Sequence, residues 1–191
     1  MKTLNDFKEK LILKKALAGK KEAFSEIYDF YVVRIFRFIY LKTSSRETAE
    51  DLASEVFLRY WKRIKKGMKD KRLSESIAND KIKPFLYKIS RNLIIDFYRK
   101  KEVLTVEINE EIKEKIKDQG KDILAEISAK QEVEEMMKAL HKIKGEYREV
   151  IILRYIEELS ITEVAEIMGK SGDSVRVLSH RAIKSLKRVV K

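Results

Sequence analysis

Arg176, Val177, His180, Arg181 and Lys184 recur near the C-terminus at the three- and four-residue intervals that place side chains on one helix face. A guanidinium can bond guanine at two points in the DNA major groove, and an apolar side chain can touch the thymine methyl. Val175, Leu178, Ala182 and Leu186 supply the opposite, apolar stripe. Upstream, Ser160-Ile161-Thr162-Glu163 reads as a capping box. A short helix follows, with Val164, Ala165 and Met168 on its apolar side. Gly169 fits the left-handed position that ends such a helix, Lys170 to Asp173 make the turn, and a second helix is expected from about Ser174. Two short helices around a glycine-containing turn, the second one basic, form a helix-turn-helix. The N-terminal half of its second helix normally faces base edges. The competing reading is a small bundle with a solvated basic face; the coincidence of cap, turn and basic helix favours DNA binding. His141 lies in another helix and reads as a surface or boundary residue.

A second constellation begins at Pro84. Opposite Leu86, Ile89, Leu93 and Phe97 lie Tyr87, Lys88, Arg91, Asn92, Ile95, Tyr98 and Arg99. Cations interleaved with rings suit single-stranded nucleic acid, where phosphates meet charge and bases stack on aromatics. The alternative is that the rings pack against a neighbouring helix. A third set, Asp51, Ser54, Glu55, Leu58 and Lys62 with Trp61 at its edge, faces away from an apolar stripe. An acidic patch with apolar anchors in a basic chain suggests a protein partner; the alternative is an ordinary solvated face with one stray leucine.

Other chemistry is excluded by composition. The 191 residues include no cysteine and two histidines, which rules out disulfides, thiolate nucleophiles, iron–sulfur clusters and zinc fingers and leaves no metal site or cofactor to expect. No phosphate-binding glycine loop or nucleophile–base pair is present, so no catalytic residue is assigned. No apolar run exceeds four residues, too few to span a membrane, and Lys14 and Lys15 interrupt the only apolar stretch that could resemble a signal peptide. The expectation is a cytoplasmic protein. Its formal net charge of +12 points to a polyanionic partner.

The elements that must hold these faces are helices. The 3.6-residue period is carried by Phe24, Ile27, Tyr28, Tyr31, Ile35, Phe38 and Ile39; by Ala49, Leu52, Ala53, Val56, Phe57, Tyr60 and Ile64; by Leu86 to Phe97; and by Val133, Met136, Met137, Leu140 and Ile143. Ser44 with Glu47 reads as a capping box before the second of these. Lys65 to Lys83 reads as a long lysine-rich loop, and the strand-like stretch Val103 to Ile108 as extended linker. Residues 1–100 carry 25 basic and 13 acidic side chains, 101–137 carry 6 and 11, and 138–191 carry 12 and 7. The expected organisation is all-α: an N-terminal helical bundle (1–101), an acidic linker (102–126) and a C-terminal helix-turn-helix domain (127–191).

Taken in order, these segments resemble the extracytoplasmic-function (ECF) sigma factors of bacterial RNA polymerase. ALAGKKEAFSEIYDFY is similar to the family's opening helices, ETAEDLASEVFLRYWKRI to its polymerase-binding segment, and PFLYKISRNLIIDFYRK to its promoter-melting helix. YREVIILRYIEELSITEVAEIMGKSGDSVRVLSHRAIKSLKR is similar to its C-terminal domain (region 4, with region 2 preceding). The resemblance implies a non-enzymatic initiation factor whose partners are core RNA polymerase, promoter DNA as duplex and as non-template single strand, and an anti-sigma factor. Asp51, Ser54, Glu55, Leu58 and Trp61 fall on the implied polymerase-binding face. Tyr87, Lys88, Arg91, Asn92 and Arg99 fall on the helix that meets the minus-ten region. Arg176, Val177, His180, Arg181 and Lys184 fall on the helix that meets the minus-thirty-five element. The resemblance also implies that the acidic linker threads the positive RNA channel of the polymerase.

Three departures bear on promoter preference. The Lys65–Lys83 segment is longer than is usual in the family and lacks its aspartate-x-phenylalanine-x-glycine pattern, and Pro84-Phe85 replaces a tryptophan context. Val177 stands where serine is frequent. A conventional helix-turn-helix regulator with a sensing domain leaves the aromatic–basic helix unexplained, and a helical adaptor whose charge serves solubility would show no salt-dependent affinity for DNA.

Overall fold

The computed structural model describes residues 6–107 and 130–190, with side chains from 7 to 100 and from 135 to 190. Among these residues every regular element is helical: α1 (Asp6–Leu17), α2 (Lys21–Thr43), α3 (Arg46–Gly67), α4 (Lys71–Asn79), α5 (Ile82–Glu107), α6 (Lys130–Lys142), α7 (Gly145–Ile151), a π segment (Ile152–Ile156), α8 (Ile161–Met168) and α9 (Gly172–Val190).

The N-terminal bundle is built on α2, α3 and α5. Ile27, Tyr31, Ile35, Phe38 and Ile39 of α2 and Ala49, Ala53, Val56, Phe57, Tyr60 and Ile64 of α3 are all buried, as their spacing requires. Each isoleucine or phenylalanine so buried contributes about 1.5–3 kcal/mol. Tyr28 is the exception in the α2 stripe: it is exposed, with its ring edge-on to Phe57 at 4.8 Å. On α5, Leu86, Leu93 and Ile94 are buried, while Ile89 and Phe97 are half-buried. Ile94 is a core residue that the four-residue stripe misses.

Three local expectations are corrected. The cap of α3 is Ser45, whose side chain accepts from the Thr48 N–H at 3.2 Å; Ser44 instead ends α2 in the left-handed region at φ 57°. The Lys65–Lys83 stretch is not a loop. Helix α3 continues to Gly67, Asp70 caps α4 by accepting from the Leu73 N–H at 3.2 Å, and Ile77 of α4 is buried. Gly67 permits this packing, because a Cβ there would stand 2.7 Å from Ile77 Cδ1 and 3.1 Å from Leu17 Cδ2. Finally, the backbone is helical through Glu107, so most of the Val103–Ile108 stretch extends α5. The remainder of the expected linker lies outside the described residues.

In the C-terminal domain Leu140, Ile143, Val150 to Leu153, Leu159, Val164, Ile167, Val175 and Ala182 are buried. Met136 of the expected α6 stripe is exposed, and Ile167 joins the apolar side of α8. The buried apolar residues of the two halves run together as one cluster.

Candidate nucleic-acid interface

Helices α8 and α9 meet at the turn expected for a helix-turn-helix. Ser160 Oγ accepts from the Glu163 N–H at 3.2 Å, and Glu163 Oε2 accepts from the Ser160 N–H at 2.7 Å, which completes the capping box. Gly169 ends α8 at φ 66°, where a side chain would be disfavoured. Ser171 Oγ then accepts from the Ser174 N–H at 3.2 Å, so α9 begins at Gly172, two residues before the expected start. Val175, Leu178 and Ala182 turn inwards, while Arg176, Val177, His180, Arg181 and Lys184 are all exposed on the outer side. The expected face is therefore assembled on one helix, with Arg176 Nη1 paired to Asp173 at its N-terminal end.

On α3, Asp51, Ser54 and Leu58 are exposed, and Leu58 retains 46% of its surface. Ser54 donates back to the Glu50 carbonyl at 2.9 Å, and Glu55 pairs with Arg59 at 2.7 Å. Trp61 is less open than its helical position suggests: its ring lies 4.6 Å from that of Phe24 and is half-buried. The acidic and apolar side chains thus share one outward face, with Trp61 at its base.

The α5 face divides in two. Lys88, Asn92 and Arg99 are exposed, and Arg99 pairs with Asp96 at 3.0 Å. Tyr98 donates to the Lys42 carbonyl at 2.9 Å, which holds its ring against α2. Tyr87 and Arg91 turn towards the C-terminal domain instead. Tyr87 is fully buried, and its hydroxyl donates to Glu157 Oε2 at 2.7 Å. Burial, reinforced by the Glu157 carboxylate, pushes its phenol well above the usual tyrosine range. Arg91 Nε donates to Glu149 Oε1 at 2.8 Å. The expectation that Tyr87 offers its ring to bases is corrected in this arrangement, because its ring is packed 5.3 Å from that of Phe38.

Sequence reasoning does not find the partners of Tyr87 and Arg91. Glu149 also lies 3.5 Å from Lys42 Nζ, and Glu157 takes both Arg37 Nε and Arg37 Nη2. Lys83 Nζ reaches Glu163 Oε1 at 3.0 Å. Burial pushes the Lys42 ammonium below its usual value, and Glu149 works against that shift. No local pattern singles out Glu149 and Glu157, since exposed Tyr155 and Glu158 share the same stretch. Among the described residues no group of side chains could hold a metal ion, and no helix is long and apolar enough to cross a membrane.

Residues 27–103 match the family model for sigma-70 region 2, and residues 133–186 match that for sigma-70 region 4. The chain is 29% identical to the ECF RNA polymerase sigma factor BldN of Streptomyces coelicolor over 183 residues, which is 94% of this chain and 64% of that protein. It is 30% identical to the RNA polymerase sigma factor SigV of Bacillus subtilis over 160 residues, covering 83% of this chain and 82% of that one. Its fold is similar to that of CnrH, solved in complex with the cytosolic domain of CnrY, with a TM-score of 0.69 at 19% identity over 95% of this chain and 96% of that one. The two matched regions coincide with the bundle that carries the α3 and α5 faces and with the domain that carries α8 and α9. The chain accordingly belongs to the ECF family of RNA polymerase sigma factors, the transcription initiation factors that direct the polymerase to promoters.

Proposed function

We propose how this sigma factor divides its work among its own residues. The observation that carries the reading is the α9 face, where Arg176, Val177, His180, Arg181 and Lys184 are all exposed on a helix held by a complete capping box and a glycine turn. This face reads the minus-thirty-five duplex. Arg176 and Val177 stand at the end of α9 that enters the groove, and Lys184 meets phosphate further along.

The α3 face, with Asp51, Ser54 and Leu58 outermost and Glu55 and Trp61 beside them, docks on core RNA polymerase. Its exposed leucine among carboxylates supports this, since a small apolar anchor with a charged surround suits a specific protein contact. Lys88, Asn92 and Arg99 of α5, joined by Arg91, meet the non-template strand of the minus-ten region. The division of the chain is then 1–101 for polymerase binding and opening, 102–126 for the acidic linker, whose first residues continue α5 to Glu107, and 127–191 for upstream recognition. The factor acts by binding and catalyses nothing itself. It works in the cytoplasm, where polymerase and promoter are. An anti-sigma factor is the further partner that would hold it back.

The test is transcription in vitro with core polymerase on a promoter library randomised over both elements. A preferred pair of elements at fixed spacing is the expected result. Transcription that is equal with and without the factor on every promoter would overturn the reading.

A further inference from the structure

Asp173 is the sole acidic side chain of α9, on a helix that carries Arg176, Arg181, Lys184, Lys187 and Arg188. It stands in the first turn, and its side chain keeps 90% of its surface. An acid at such a position often caps the helix, but here Ser171 has that role. Its Oγ accepts from the Ser174 N–H at 3.2 Å and lies 2.8 Å from Ser174 Oγ. What Asp173 adds to the helix is then only a favourable interaction with its dipole. On a surface that meets DNA the same negative charge is repelled by the phosphates. A carboxylate is at home there only where a base attracts it.

Asp173 Oδ1 accepts from Arg176 Nη1 at 2.5 Å. This leaves Oδ2 of the acid, and Nε and Nη2 of the arginine, without a partner among the described residues. On its other flank Asp173 lines a hollow of about 440 Å³ with Ser174, Val177 and Arg181. Across that hollow Lys170 and Glu146 are paired to each other at 2.8 Å. The carboxylate therefore heads both outward rows of α9, Arg176, His180 and Lys184 on one side and Val177 and Arg181 on the other. Because the heads of Asp173 and Arg176 touch, the base edges they reach lie within about one base step, roughly 3.4 Å. The major groove limits what a carboxylate can accept from. Guanine O6 and N7 and thymine O4 are acceptors and repel it. Adenine offers its N6 amine with the N7 acceptor beside it, whereas cytosine offers its N4 amine with no acceptor on its own edge.

We infer that Asp173 is a specificity-determining residue of α9 that reads cytosine, its Oδ2 accepting from a cytosine N4 amine in the base pair next to the guanine that Arg176 takes. This rests on the reading that α9 enters the minus-thirty-five duplex. The carboxylate acts chiefly by exclusion. Opposite guanine or thymine it faces acceptors in a field already negative from the phosphates, so such promoters are rejected. The pair with Arg176 is exposed and weak, and each head can turn to its own base.

The test is transcription in vitro by core polymerase with the full-length chain, on promoters randomised over the upstream element. The wild type should favour cytosine about five-fold or more at one position beside the preferred guanine, the lower end of discrimination by a base contact. Asp173→Ala should flatten that position and leave the guanine preference in place. Asp173→Asn is the sharper variant. A carboxamide pairs with adenine at N6 and N7, so the preference should move from cytosine to adenine on the same strand. A mere change in helix stability would move neither preference. Arg176→Ala is measured in the same library. A wild type indifferent to cytosine, or an Asp173→Ala variant that keeps the cytosine preference, overturns the contact, and the α9 reading stands if Arg176→Ala still alters the preferred bases. Loss of the guanine preference alone in Asp173→Ala also overturns it and makes Asp173 a support for Arg176. If neither variant alters any base, the α9 reading falls as well.

Discussion

Arg37 and Glu157 stand 120 positions apart in the chain and meet at two points, Nε to Oε1 at 2.7 Å and Nη2 to Oε2 at 2.9 Å. Glu157 Oε2 also accepts from the Tyr87 hydroxyl at 2.7 Å, and the Glu157 side chain is wholly buried. One carboxylate of the C-terminal domain therefore satisfies three donors of the N-terminal bundle. The two-point geometry fixes orientation as well as distance, which a lysine in place of Arg37 would not do.

Glu157→Ala leaves Tyr87 and Arg37 facing a cavity without their acceptor. Breaking a buried pair typically costs about 3–5 kcal/mol. Arg37 is one-third exposed and can recover some hydration, so the lower end of that range is expected in urea denaturation. Glu157→Gln keeps acceptor capacity for the tyrosine and should cost less. Equal, small losses in both variants would show that the pair does not hold the halves together.

Glu163 makes stability depend on acid in a defined direction. Burial works to raise its pKa, but the Ser160 N–H, Lys83 and the Ser160 side chain more than offset this and hold it below the usual 4.5. A carboxyl depressed on folding stabilises fully above its unfolded pKa, and that stabilisation is lost as pH falls through the lower folded value. Denaturation midpoints should therefore drop on acidification below about pH 4.5, and Glu163→Gln should flatten that part of the profile. A variant with the wild-type acid slope would remove Glu163 from the account.

Much of this architecture is legible in the sequence because helix periodicity and caps are local. The apolar stripes of α2 and α3, the Ser160–Glu163 box and the Gly169 stop each follow from residues within a few positions of one another. The Lys65–Lys83 segment reads as a loop because α4 has only nine residues and its flanking lysines mask the pair Leu73 and Ile77. The α9 face is complete in the sequence, since its outward side is exposed among the described residues. The α5 face is not: Tyr87 and Arg91 share a helical side with Lys88 and Asn92, and only the docking of Glu149 and Glu157 from far along the chain divides them. Long-range pairing of charges carries no periodic signal.

Polymerase docking through α3 predicts that Asp51→Lys with Glu55→Lys abolishes co-purification with core polymerase. The fold should survive. Asp51 is exposed, and the Glu55–Arg59 pair it would break is a surface i,i+4 contact, the kind worth about 0.3–0.5 kcal/mol. Circular dichroism checks the helices, and affinity capture of core polymerase reads the binding. A folded double variant that still binds would remove this face from the interface.

Opening of the promoter predicts a different signature for α5. Unstacking bases costs a few kcal/mol, about enough that the open form needs selective capture. Arg91→Ala with Asn92→Ala should leave closed-complex formation intact and slow opening, and a template with a pre-melted bubble should restore much of the activity. Asn92→Ala alone separates capture from the seam, because Asn92 is exposed while Arg91 is tied to Glu149. Equal failure on duplex and bubble templates would rule out a melting role.

Sequence reading by α9 is tested in the holoenzyme, where both elements are engaged. Arg176 lies in the first turns of α9, one residue after buried Val175, with its guanidinium at the surface beside Asp173. That exposed pair is weak and yields readily to a base edge. A bidentate arginine–guanine contact discriminates by about 1–3 kcal/mol, so Arg176→Ala should relax preference at one or two minus-thirty-five positions. Lys184 stands eight residues further along the same face, where the helix leaves the groove and phosphate is within reach. Lys184→Ala should weaken all promoters alike and reduce the slope of log affinity against log salt by about 0.9, the value for one neutralised phosphate on duplex DNA. Profiles over a randomised upstream element at several salt concentrations separate the two roles. A uniform loss from Arg176→Ala together with altered base preference from Lys184→Ala would reverse the direction in which α9 enters the groove.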